Sequence, residues 1–81
     1  MTPEQQKALN FLVGVLVDSK TAKATNHMAG EPQKRLQLCL EISAADLSTA
    51  ALMGSTQEQK QATRRLESLQ SLETLTQGLC K

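Results

Sequence analysis

Seven consecutive residues, Phe11-Leu12-Val13-Gly14-Val15-Leu16-Val17, carry neither a charge nor a hydrogen-bonding side chain. They hold the only Phe and all three Val residues of a chain without Trp or Tyr. A β-branched run this short fits a buried strand. No other stretch offers it a partner strand, however, and a lone strand leaves its backbone groups unpaired. Read as a helix, the run continues the pattern Ala8, Leu9, Leu12, Val15, Leu16. At ~100° per residue, Leu9, Leu12 and Leu16 define one face, with Phe11 and Val17 to either side. A helix apolar nearly all round is expected to be buried nearly all round. Gly14 costs this helix about 1 kcal/mol relative to Ala, either for close approach of another backbone or as a glycine simply tolerated.

Helix signals divide the rest of the chain. Thr2-Pro3-Glu4-Gln5 is a start: Thr2 and Gln5 form a capping box around Pro3 at the first helical position. The first helix is expected from Pro3 to at least Ser19, with a possible continuation to Met28. Ala29-Gly30-Glu31-Pro32 is punctuation, with Gly30 placed in the left-handed conformation and Pro32 opening the second helix. That helix carries one stripe of Leu36, Leu40, Leu47 and Ala51 and an opposite one of Leu38, Ile42, Ala45 and Leu52. Gly54 closes it, and Ser55-x-x-Glu58 caps the next. The third helix carries Ala62, Leu66, Leu69, Leu72, Leu75 and Leu79. Its three-residue steps walk the stripe around, so Leu72, Leu75 and Leu79 are expected to face a different neighbour from Ala62 and Leu66.

Two short connections place consecutive helices antiparallel. The expected fold is all-α: residues 1–81 as a single helical domain of three antiparallel helices, an up-down-up bundle. At 8.8 kDa, area scaling gives a folded monomer of roughly 4,800 Å² against about 12,800 Å² extended. Such a monomer has little interior, and all three helices have apolar surface beyond one stripe. The bundle is therefore expected to pack into a homo-oligomer through Phe11, Val13, Val17, Leu38, Ile42, Leu72, Leu75 and Leu79.

Composition narrows function by exclusion. A net charge of +1 and a near absence of aromatics argue against bulk-charge or stacking contacts with nucleic acid. Ser55, Lys60 and Thr63 occupy positions a helix-turn-helix reading of residues 44–70 needs apolar. Seven apolar residues are too few to span a bilayer. No basic region precedes the apolar run, and Asp18 and Lys20 follow it, so no secretory signal is read and a cytoplasmic protein with reduced thiols is expected. An antiparallel hairpin turning near Gly54 sets Cys39 opposite Leu69 and Gln70. Cys80 then lies about ten residues on, ~15 Å away, beyond the ~7 Å a disulfide tolerates. A buried Cys39 and an exposed Cys80 are expected, with an intermolecular Cys80 bridge under oxidation as the alternative.

One His and two separated Cys give no metal spacing. Single carboxylates and a lone His27 give no catalytic set, so neither an enzyme nor a cofactor is expected. Lys20, Lys23 and His27 recur at helical spacing if the first helix extends that far. Lys34, Arg35 and Lys81 arrive at the same end, diluted by Asp18, Glu31 and Glu73. This end is the candidate site for a small anion, a nucleotide or an acidic segment. The leading expectation remains a small chaperone, adaptor or inhibitor that presents apolar helix surface to a partner protein.

Overall fold

The computed structural model describes residues 1–79. The protein is all-α, with α1 at Pro3–Leu16, α2 at Ser19–Ala24, α3 at Pro32–Met53 and α4 at Thr56–Leu79; a 3-10 turn, Asn26–Met28, lies between α2 and α3. Cys80 and Lys81, and the bridge and basic charge expected of them, lie outside the described residues.

The expected capping box starts α1. Thr2 Oγ1 accepts from the Gln5 N–H at 3.1 Å, and Gln5 Oε1 accepts from the Thr2 N–H at 2.9 Å. The helix does not reach Ser19. Val17 turns to extended backbone at φ −103° and ψ 165°. Asp18 then starts α2 by accepting from the Thr21 N–H at 2.9 Å. A carboxylate three residues ahead of a free N–H is itself a helix start, and here it outcompetes continuation of α1.

That break sets the topology. Gln33 of α3 donates to Met1 Sδ at 3.3 Å, so α1 and α3 begin side by side. Beyond the far end of α1, Asp18 meets Arg65 of α4 at 3.9 Å. Gln37 of α3 bonds Glu73 of α4, and Gln59 of α4 donates to the Ala50 and Ala51 carbonyls at 3.3 and 3.2 Å. The α3–α4 hairpin is thus antiparallel along its length, while α1 runs parallel to α3 and antiparallel to α4. Residues 18–31 carry the chain back to its starting end. The expected up-down-up order of three helices is replaced by four helices whose first and third point the same way.

The hairpin turns at Gly54, as expected, but at φ −94° and ψ 169°, and no glycine has positive φ. Gly30 likewise does without the left-handed conformation. Ser55 Oγ accepts from the Glu58 N–H at 3.2 Å, the expected cap.

The core comprises Leu9, Val13, Val17, Leu36, Cys39, Leu69 and Leu72, with Met1, Leu16, Ala22 and Leu40 half-buried against it. In α1 the inward residues are therefore Leu9 and Val13, followed by the C-cap Val17 at the same four-residue spacing, instead of Leu9, Leu12, Leu16. In α3 the buried line Pro32, Arg35, Leu36, Cys39, Ser43 runs between the two expected stripes. In α4 it is Ala62, Leu69, Leu72, Thr76. Thr76 enters the interior because its hydroxyl donates to the Leu72 carbonyl at 2.8 Å, leaving no polar atom unpaired.

Helix lengths leave this core incomplete. At 1.5 Å per residue, α1 is ~21 Å long and α3 and α4 are ~33 and ~36 Å. The tip of the hairpin projects past α1, with Leu52 and Met53 exposed. The molecule measures 41 × 24 × 15 Å, and its accessible surface of 5514 Å² exceeds the roughly 4,800 Å² expected at this mass.

Candidate protein-interaction surface

The helical repeat that turns Leu9, Val13 and Val17 inward turns another set outward. Ala8, Phe11, Leu12 and Val15, at spacings i, i+3, i+4 and i+7, share one face of α1. All four are exposed; Phe11 is 68% and Val15 62% exposed. The helix that was expected to be buried nearly all round is thus apolar inside and apolar outside. Glu4 and Lys7 flank this face at one end, and Asp18 and Lys20 follow α1 at the other.

The last turns of α4 add to the exposed apolar surface. Glu73, bonded to Gln37, marks the side of α4 that faces α3. Leu75 and Leu79 lie on the opposite flank of Leu72 and are 67% and 56% exposed.

The residues expected at an interface therefore divide. Phe11, Leu75 and Leu79 are on the surface, and Leu38 and Ile42 are half-buried. Val13, Val17 and Leu72 belong to the core, where no second chain can reach them; they are inward members of stripes whose register the Leu pattern alone misassigns. Leu12 and Val15 join the surface instead. Their signal in the sequence was the second i, i+3, i+4, i+7 set, offset from the Leu face.

The basic end is not assembled as a site. Its premise, an α1 continuing through Lys20, Lys23 and His27, fails at Val17. Lys20 lines a hollow of about 460 Å³ among α2, α3 and α4, floored by Ile42, Ala50 and Ala62. Its rim mixes Asp18, Asp46 and Glu58 with Lys20 and Arg65. His27 and Lys34 line a separate one near Glu31, and Lys34 pairs with Glu31 at 3.0 Å. Arg35 is 4% exposed. Its Nε donates to Thr25 Oγ1 at 3.0 Å, Nη1 to Asn10 Oδ1 at 2.7 Å and to the Asn10 carbonyl at 3.3 Å, and Nη2 to the Ala22 carbonyl at 3.2 Å. Among the described residues the ion pairs are Lys34–Glu31 and Arg65–Asp18, so this guanidinium has no carboxylate partner. It ties α1, the end of α2 and α3 together and cannot receive an external anion without abandoning those bonds.

Asp18 is the group whose acidity shifts. Hydrogen bonding from Thr21, side chain first and backbone next, holds its carboxyl below 3.8, with Arg65 and Lys20 adding to the effect and partial burial opposing it. Among the described residues no cluster of His, Cys, Asp and Glu could hold a metal. Cys39 is buried and free.

The lengthwise antiparallel hairpin of α3 and α4 differs from the helix-turn-helix, whose helices cross at about 90–120°. By length and composition α3 could cross a membrane, although Glu41 and Asp46 near its middle are costly in lipid. Compared with known proteins, the chain matches no family model, no curated protein and no solved structure.

Proposed function

We propose that the chain is a non-enzymatic helical interaction module, a small chaperone, adaptor or inhibitor, that forms a homo-oligomer and presents apolar helix surface to another protein. The observation that carries this reading is the outward face of α1, on which Phe11 and Val15 are 68% and 62% exposed although the opposite face of the same helix builds the core. Contiguous apolar surface of this kind marks interaction sites in soluble proteins. Helix-in-groove contact is the mode available to a rigid helix with anchors at i, i+3, i+4 and i+7. The excess of surface over the scaling value, on the order of 700 Å², is close to the ~800 Å² each partner contributes to a standard interface. Covering one exposed Leu or Phe contributes about 1.5–3 kcal/mol, so a few suffice for micromolar association.

Sedimentation equilibrium from low to high micromolar concentration tests the reading. The wild type is expected to exceed 8.8 kDa as concentration rises, and Phe11→Glu or Leu75→Glu to shift that rise to higher concentration while leaving the thermal transition of the dilute, dissociated chain unchanged. A wild type at 8.8 kDa throughout would defeat self-association.

A further inference from the structure

We infer that a second copy of this chain covers the outward face of α1, with the two α1 helices antiparallel about a two-fold axis passing between Phe11 and Leu12. This rests on the self-association reading above and adds to it the face, the direction and the register.

Direction follows from charge. Both charged residues of α1, Glu4 and Lys7, lie in its first half. Parallel pairing sets Glu4 beside Glu4 of the other copy and Lys7 beside Lys7. Antiparallel pairing moves each pair of like charges to opposite ends of the strip and removes both repulsions. The helix dipoles are also opposed in this arrangement.

Register follows from size. With the axis between residues 11 and 12, Phe11 of one copy lies against Leu12 of the other, and Ala8 lies against Val15. The smallest member of the face meets a β-branched one, and the largest pair sits at the centre, where the energetic anchors of an interface concentrate. The strip is thus complementary to itself in one direction. Nearly balanced charge around it gives no preference for an anionic lipid surface, which amphipathic helices reach with basic flanks.

The test uses the full chain in a Cys80→Ser background, with one cysteine introduced at a time beside the buried Cys39 and oxidised under mild conditions at high micromolar concentration. Leu12→Cys is expected to form a covalent dimer by itself. Ala8→Cys and Val15→Cys are expected to link to each other when mixed and not to themselves, because a disulfide needs Cα atoms within ~7 Å. Self-linking of Ala8→Cys and of Val15→Cys without mixed product means parallel helices and overturns the inference. Dimeric mass without linkage at any of the three positions means that another face is used; it overturns this inference and leaves self-association standing. A chain monomeric at every concentration overturns both.

Discussion

Arg35 Nε lies 3.0 Å from the Thr25 hydroxyl oxygen, and that same hydroxyl donates to the Thr21 carbonyl at 2.9 Å. Cys39 Sγ approaches it at 3.7 Å, and Thr25 has no exposed surface. One threonine therefore converts the end of α2 into an acceptor for a buried cation, and the guanidinium extends the link to Asn10. A planar group with donors in several directions can do this; a lysine ammonium, a compact point charge, cannot serve Asn10, Ala22 and Thr25 together. Arg35→Ala is expected to lower stability by about 2–4 kcal/mol, because acceptors on Asn10, Ala22 and Thr25 lose charged hydrogen bonds. Arg35→Lys should recover less than half of that loss. Urea melts of both variants decide it: a full recovery by lysine would mean that charge alone, without the fork, holds α1 and α2 to α3.

At Gly54 the constraint is contact. Its φ of −94° suits any residue. A Cβ there would lie 2.6 Å from Glu58 Oε2 and 2.9 Å from both the Cα and the carbonyl oxygen of Ala50. The glutamate can swing away; the α3 backbone cannot. Gly54→Ala is expected to cost at least ~1 kcal/mol, and Gly54→Ala with Glu58→Ala to retain most of that cost. If removing the Glu58 side chain restores wild-type stability in urea, the clash with Ala50 is not the cause.

Helix identity was legible where the signal was local. Thr2, Pro3, Pro32, Gly54 and Ser55 marked starts and stops that the fold uses, because a cap satisfies groups within one turn. Which face turned inward was not, because α1 has two overlapping apolar sets and the choice between them lies in α3. Arg35 reaches Asn10 and packs beside Gly14, rotating the Leu9, Val13, Val17 stripe into the core. Nothing in the spacing of α1 announces a buried arginine 25 residues away. For the same reason the spacing does not place Leu12 and Val15 on the surface, and it groups Arg35 with Lys34, its neighbour in sequence, at a basic end open to an anion. The one local signal passed over was Asp18, whose cap ends the first helix and reverses the direction of the chain.

Gly14 shows what the fold does not require. No backbone approaches it; an added Cβ would meet the Arg35 guanidinium nitrogens at 3.7 and 3.8 Å, ordinary contact distances, and its φ is not positive. Glycine within a helix forfeits about 1 kcal/mol relative to alanine. Gly14→Ala is therefore expected to raise stability by up to ~1 kcal/mol, read as a higher urea midpoint at unchanged slope. A loss of stability would show that the guanidinium tolerates no closer wall on that side.

Asp18 gives the fold a pH dependence whose sign can be worked out. Its carboxyl titrates below 3.8 in the folded protein, chiefly through Thr21 and then through Arg65 and Lys20. The unfolded chain binds this proton more readily than the folded one does, so stability rises with pH across the interval between the two values. The contribution is present in full above the unfolded value of 3.8 and is lost as pH falls through the lower, folded one. Asparagine at the same position still accepts from the Thr21 N–H and caps helices about as well as aspartate. It does not titrate, and the Arg65 pair it gives up is a partly exposed contact at 3.9 Å, which contributes little. Asp18→Asn should therefore match the wild type within about 0.5 kcal/mol at pH 7 and lose less stability than the wild type between pH 7 and pH 3. Urea melts of the two proteins across that range measure the difference directly. Parallel curves would show that the Asp18 carboxylate does not link folding to protonation, and that another carboxylate sets the acid limit of the fold.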